Sequence, residues 1–329
     1  MKSGAQPTLA HVAKAAGVSK TTASASLRDL PGPSEETKAK VRQAAKHLGY
    51  RVSVGAKSLR TGMRPTAAVI FDPLIVSREV YVDTYWAQYM NSMILTASES
   101  NMPVTFVSAK NTDALEGHQL DVVLFMTQEA ILDQLASLGF GLPLVANATA
   151  DFSDPRLTSV LRHDHGAATV EVFEQMFQAG SRRPLLLYGR ELARLSVNQA
   201  AFVGWAADKG IEPVVRELRN GDDVGGSIAE VADLLSEGYD GVYTLLMDPG
   251  IVVSASARAK RSIPDDLMLV GQTEDDAIGA WDVPLSNVTM LGRQSGRIAA
   301  ETLIAAIDGS VEPVVHMPHR FTARASSRA

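Results

Sequence analysis

The chain has 329 residues, too many for one comfortable hydrophobic core, and its 46% hydrophobic and 21% charged content is ordinary for a folded protein. It contains no cysteine, which excludes disulfides, thiolate metal sites and a cysteine nucleophile. The formal net charge of -6 conceals an asymmetry: residues 1–64 carry 12 basic and 3 acidic side chains, net +9, which leaves the rest of the chain at -15.

A compact basic end on an acidic body is the electrostatic pattern of a nucleic-acid-binding module. No run of about 18 apolar residues is present, so no membrane span or membrane partner is expected. The opening Met1-Lys2-Ser3-Gly4 lacks the apolar stretch of a signal peptide, which gives the expectation of a cytoplasmic protein.

Thr8 is suited to cap a first helix, whose apolar positions Leu9, Val12, Ala13 and Ala16 fall on one face. Gly17 can take the left-handed conformation that stops it. Ser19 then caps a second helix from Lys20 to about Arg28, in which Ala23, Ser24 and Ala25 permit close packing. Two helices joined by a short glycine turn form a helix-turn-helix. The loop Asp29-Leu30-Pro31-Gly32-Pro33 breaks the pattern, and Ser34 restarts it as a third helix. That helix has Glu35 and Glu36 at its positive end, and Val41, Ala44, Ala45 and Leu48 on one face. Lys20, Thr21 and Thr22 occupy the first turn of the second helix, as donors suited to base edges. Lys14, Lys38, Lys40, Arg42 and Lys46 are expected to track phosphates.

The run from Leu9 to Ser24, LAHVAKAAGVSKTTAS, resembles the headpiece of the LacI/GalR family of bacterial transcription regulators, as do Pro33-Ser34-Glu35-Glu36-Thr37 and Leu48-Gly49-Tyr50-Arg51. The resemblance implies that Thr22 and Ser24 meet phosphates and that Lys20 and Thr21 meet base edges. Thr8, Ser19, Arg28, Ser34, Tyr50, Lys57 and Leu59 complete the implied DNA-facing set. Ala25 stands where the family commonly has a base-reading arginine. Losing a bidentate guanine contact removes about 1–3 kcal/mol of discrimination, so the expected half-site differs from the common family one. Residues 53–62 resemble the family's hinge helix. At about two turns, weakened by Gly55, it is too short to stand alone. In the family's manner, Leu59 would wedge into the central base step from the minor groove.

From Pro65 onward, apolar runs at 67–71, 104–108, 122–126, 143–146, 158–161, 184–188, 241–246 and 267–271 read as strands. Amphipathic stretches at 84–100, 130–138, 167–179, 199–209, 228–237, 250–260 and 292–307 read as helices between them. Alternation of this kind predicts parallel α/β sheets. The expectation is two doubly wound lobes, with the chain passing between them near residues 150 and 280, and ligands bound where the strand ends face each other. Residues 180–189, 263–271, 284–288 and 321–324 resemble the periplasmic-binding-protein-like body of the same family. Trp86, Tyr89, Met90 and Met93 form a stripe that either packs the core or, by resemblance, contributes to a dimer face.

The positions that the family uses to hold sugars are largely altered. Arg162 and His163 replace the usual aspartate and asparagine, Asn198 replaces an arginine, and Asp223 replaces an aromatic residue. Met247 precedes the surviving Asp248, and Thr273-Glu274 replaces paired aspartates. Either the cleft binds something other than a sugar, through Asp72, Tyr81, Arg162, Asn198, Asp248 and Glu274, or the body serves chiefly for dimerisation. An arginine in a closed cleft would favour an anionic group.

His163-Asp164-His165, with His316 and His319, has no metal-ligand spacing, so no metal is expected. No phosphate loop, dinucleotide fingerprint or nucleophile elbow is present, so neither a cofactor nor enzymatic activity is expected. The sequence therefore reads as a DNA-binding domain over 1–52, a hinge over 53–64 and a bilobed domain over 65–329. It would act as a repressor, bind a pseudo-palindromic operator as a homodimer and respond to a small-molecule effector. The alternative is a small-molecule binding protein whose headpiece no longer reads DNA, for which Ala25 is the argument.

Overall fold

The structure is a computed structural model that describes residues 9–27, 31–48, 64–71, 80–115, 120–126, 129–136, 142–148, 152–189, 195–218, 223–274 and 283–327. Thr8, Arg28, Tyr50, Lys57, Leu59 and Asp72 lie outside these residues, as does the hinge.

The headpiece contains α1 (Leu9–Ala16), α2 (Lys20–Leu27) and α3 (Glu35–Leu48). After α1 the backbone turns at Gly17, φ +68°, while Val18 N donates to Ala13 O at 2.9 Å. Only a residue without a Cβ takes that conformation at no cost. Val12, Ala13, Ala23, Val41 and Ala45 form the buried centre. Two alanines and a valine from α1 and α2 against one face of α3 make a thin core, with small side chains that let the helices approach closely.

The body contains β1 (Ala67–Phe71), α4 (Val80–Glu99), β2 (Val104–Ser108), β3 (Val122–Met126), α5 (Glu129–Ala136), β4 (Leu144–Ala148) and β5 (Ser159–His163). There follow α6 (His165–Gln178), β6 (Pro184–Tyr188), α7 (Leu195–Lys209), β7 (Val214–Glu217), α8 (Val224–Leu235), β8 (Gly241–Leu245), α9 (Pro249–Arg258) and β9 (Met268–Gln272). The chain closes with β10 (Ser286–Thr289), α10 (Gly292–Asp308), β11 (Val314–Met317) and β12 (Arg320–Thr322). Two six-stranded sheets result, ordered β11-β5-β4-β3-β1-β2 and β12-β10-β9-β8-β6-β7. Every pairing is parallel except that of β12 with β10. Strands such as β3 and β6 are buried along their whole length, as the continuous apolar runs predict for a parallel sheet covered on both faces.

The passages between lobes fall elsewhere than expected. β4 and β5 are neighbours in the first sheet, so the chain leaves that lobe between His163 and His165, not near residue 150. The polar stretch at 152–158 is a loop within the lobe. β10 still belongs to the second sheet, so the return occurs at Met290–Gly292, not near residue 280. A third passage joins β11 of the first sheet to β12 of the second. Short strands with polar residues, such as Ser286-Asn287-Val288-Thr289, carry too weak a pattern to mark these points in advance.

α10 packs along α4 in the first lobe. A Cβ at Gly292 would lie 2.7 Å from Tyr85 O, and one at Gly296 would lie 2.0 Å from Tyr89 O. The two helices therefore touch backbone to backbone. Around that contact lie Trp86, Tyr89, Met93, Ala97, Ala299, Ala300 and Leu303, all buried. The aromatic and methionine stripe of α4 is thus core for the most part, with Met90 half-buried.

Candidate DNA-reading face and effector cleft

The first turn of α2 is built by Ser19. Its Oγ accepts from Thr22 N at 3.0 Å and lies 2.8 Å from Thr22 Oγ1. This cap holds the turn that presents Lys20 and Thr21, both exposed. Ser24 is half-buried. Ser34 repeats the device at α3: its Oγ accepts from Thr37 N at 3.3 Å and lies 2.9 Å from Thr37 Oγ1. Lys38 departs from the expectation that it tracks phosphate. It is 8% exposed, and its Nζ donates to Glu35 Oε1 at 2.9 Å, so its stem covers the core and its charge is neutralised locally. Lys40 pairs with Glu36 at 3.0 Å but stays exposed, as does Lys14. The face that can meet an anionic duplex is therefore the exposed α2 turn with the α1 and α3 cations around it.

In the body, the structure divides the expected effector set. Tyr81 lies on α4, with its side chain outside the described residues. Asp248 is exposed just past β8, where its carboxylate accepts from Gly250 N at 2.6 Å and caps α9. Arg162 is half-buried on β5. Asn198 is 3% exposed on α7 and reaches α6: its Nδ2 donates to Thr169 Oγ1 at 2.8 Å and to His165 O at 3.4 Å. Glu274, 5% exposed beyond β9, holds the second passage between lobes: its Oε1 accepts from Met290 N and its Oε2 from Gly292 N, each at 3.0 Å. Between those two amides Leu291 has φ 53°, an uncommon left-handed conformation for a branched residue. The buried carboxylate thus fixes the strained turn from which α10 starts.

Sequence reasoning gave no role to Tyr85, which packs against the cores of both lobes. Its ring meets Trp86 edge-on at 4.9 Å and Tyr89 at 5.9 Å. Tyr89 is fully buried, accepts from Asn147 Nδ2 at 3.4 Å, and has its pKa raised by burial, so its phenol stays neutral. The signal for this contact was present in Gly292 and Gly296, four residues apart and so on one helix face. His163 and His165 stack at 5.6 Å at the first passage. Among the described residues no group of three metal-ligating side chains converges, and no helix is long and apolar enough to cross a membrane.

Comparison with known proteins agrees with this geometry. Residues 8–53 match the profile of bacterial regulatory proteins of the lacI family, and residues 173–327 match the periplasmic binding protein-like domain. The probable HTH-type transcriptional repressor ExuR of Bacillus subtilis strain 168 is 28% identical over 189 residues, 56% of this chain and 55% of that protein. The HTH-type transcriptional regulator AscG of Escherichia coli K12 is 24% identical over 318 residues, 92% of both. In fold, the chain is similar to the lac repressor in the crystal structure of its dimer bound to operator and the anti-inducer ONPF. The TM-score there is 0.68 at 17% identity, over 99% of this chain and 100% of that one. The regulator CelR in its cellobiose complex gives 0.64 at 19% identity, over 97% and 99%. A helix-turn-helix headpiece on a two-lobed periplasmic-binding-protein-like body defines a DNA-binding transcription regulator, not an enzyme. The chain belongs to the LacI family.

Proposed function

We propose that the protein is a repressor that binds a pseudo-palindromic operator as a homodimer, under the control of a small molecule bound by the body. Residues 1–52 read DNA, 53–64 form the hinge, and 65–329 dimerise and sense. The observation that carries this reading is the capped first turn of α2, which presents exposed Lys20 and Thr21 from a segment of net charge +9. A similar fold serves the lac repressor dimer on its operator. Two such turns related by a two-fold axis would meet successive major grooves, and affinity would fall steeply with salt.

Control follows from linkage: an inducer binds the DNA-incompetent arrangement of the lobes more tightly, a corepressor the competent one. Asp248 and Arg162, near the ends of β8 and β5, support a polar contact set in the cleft. The test is selection of bound sequences from a random DNA pool by the full chain at about physiological salt, where nonspecific binding is weak. A pseudo-palindrome is expected. Recovery of no motif, with and without cell extract, would refute sequence-specific reading.

A further inference from the structure

Both lobes open on the same clamp. In the first sheet Ala67 of β1 pairs with Val122 of β3, and in the second Pro184 of β6 pairs with Gly241 of β8. An aspartate stands one residue before the second strand of each pair, Asp121 in one lobe and Asp240 in the other. Asp121 N donates to Thr66 O at 2.8 Å, and Thr66 N donates back to Asp121 Oδ2 at 3.0 Å. Asp240 N donates to Arg183 O at 3.2 Å, and Arg183 N donates back to Asp240 Oδ1 at 2.9 Å. What the two clamps hold differs. Asp240 receives chain that leaves α6 of its own lobe, and Arg182 N and Ser181 Oγ also donate to its carboxylate. Asp121 receives the chain that arrives from the headpiece. We propose that Asp121 is a positioning residue for DNA binding, which fixes the point and direction from which the headpiece is tethered to the body.

The local chemistry makes this the place where the tether becomes part of the body. Arg64 is exposed, and Pro65 after it has no N–H, a fixed φ and a bias against helix at the residue before it. The first donor that the incoming backbone can offer past the proline is Thr66 N, and the buried Asp121 carboxylate takes it. A hydrogen bond to a charged acceptor is roughly twice as strong as a neutral one. Ala67 N then donates to Pro103 O at 2.9 Å, and β1 continues between β2 and β3, buried from Ala67 to Ile70. Two headpieces on one operator bind in sequence, the second at an effective concentration set by how closely its tether confines it. Release of Thr66 would let the tether swing through more directions. That dilutes the second headpiece at its half-site and leaves the contacts of the first alone. This inference rests on the regulator reading above.

The test uses the full chain and the operator that the wild type selects, offered as the complete duplex and as a single half-site, with fluorescence anisotropy as the readout. Asp121→Ala removes the acceptor and should weaken the complete operator about tenfold, the lower end of what a hydrogen bond to a charged group is worth. Asp121→Asn keeps a neutral acceptor and should weaken it about threefold. Half-site affinity should stay within about twofold in both, because the headpiece itself is untouched. Asp240→Ala is the control. It strips the acceptor from two backbone amides and a hydroxyl, so it should lower the melting midpoint at least as far as Asp121→Ala does. Operator affinity should nevertheless stay within about twofold of wild type. Operator affinity that simply follows the melting midpoint across these variants would show a purely structural role and overturn the proposal. So would unchanged complete-operator affinity in Asp121→Ala or, where that variant does not fold, in Asp121→Asn. Equal losses on half-site and complete operator also overturn it. A wild type that selects no motif overturns the regulator reading and this proposal with it, whereas an operator held equally by wild type and Asp121→Ala overturns the anchor alone.

Discussion

Gly296→Ala should be among the most damaging single-methyl additions to this protein. The new Cβ would stand 2.0 Å from Tyr89 O, against an ordinary contact of about 3.4 Å, and the obstacle is backbone that no rotamer change can clear. α10 must therefore retreat from α4 by more than an ångström. A gap of about 0.5–1 Å already forfeits a quarter to a half of a dispersion contact, and the residues affected include Trp86, Tyr89, Met93, Ala299, Ala300 and Leu303. Overpacking typically costs about 1–3 kcal/mol. With backbone as the obstacle and the central contact of the first lobe opened, we expect the upper end, about 3 kcal/mol. That corresponds to a fall in melting midpoint of roughly 6–12 °C at 2–4 °C per kcal/mol. Gly204→Ala supplies the control. This glycine lies inside α7, and an added Cβ would meet nothing within 4 Å. The same methyl there should stabilise by about 0.5–1 kcal/mol through helix propensity. Thermal unfolding followed by far-ultraviolet circular dichroism reads both. A Gly296→Ala midpoint within 2 °C of wild type would refute the backbone-to-backbone contact.

Tyr243 is fully buried, and its hydroxyl has no hydrogen-bond partner among the described residues. Tyr243→Phe should therefore leave the midpoint unchanged or raise it, and denaturant unfolding that shows a loss above about 1 kcal/mol would refute that reading. Glu174 accepts from Trp205 Nε1, Lys209 Nζ and Gln178 Nε2, which lower its pKa from 4.5 to about 2. Its contribution is then complete above pH 4.5 and lost as pH falls towards 2. The melting deficit of Glu174→Gln should thus be larger at pH 7 than at pH 2.5. Glu274→Gln would set an amide N–H₂ against one of two backbone donors, leaving a buried N–H unpaired at a cost of about 1–3 kcal/mol. Hydrogen exchange at Met290 and Gly292 should accelerate accordingly, and unchanged exchange would refute the latch. Lys20→Ala should cost about 1–3 kcal/mol on a selected operator and less on random DNA, as fluorescence anisotropy can measure. Equal losses on both would move Lys20 from base to phosphate.

Much of this architecture is legible in the sequence because its signals are local. Gly17 and Ser19 fix the turn of the headpiece, and unbroken apolar runs such as Val122–Met126 and Pro184–Tyr188 mark strands covered on both faces. The passages between lobes are not local. β5 carries Arg162 and His163 and still pairs inside the first sheet, while β10 is a four-residue strand of mixed polarity. Whether such a strand joins one sheet or the other depends on neighbours far along the chain. Lys38 fails for a related reason: a cation on a helix reads as solvent-facing, and only the packed headpiece shows its stem over the core with Glu35 beside it.

The same limit governs the effector positions, and there it carries a lesson about chemistry. A glutamate at a strand end is as plausible a ligand contact as a structural one until its partners are seen. Here both oxygens of Glu274 accept backbone amides on either side of Leu291, and Asn198 joins α6 to α7. A glutamate suits this position better than an aspartate would, because the longer stem spans from the end of β9 to two amides separated by one residue. Side chains that bind the frame in this way make the passage between lobes more definite.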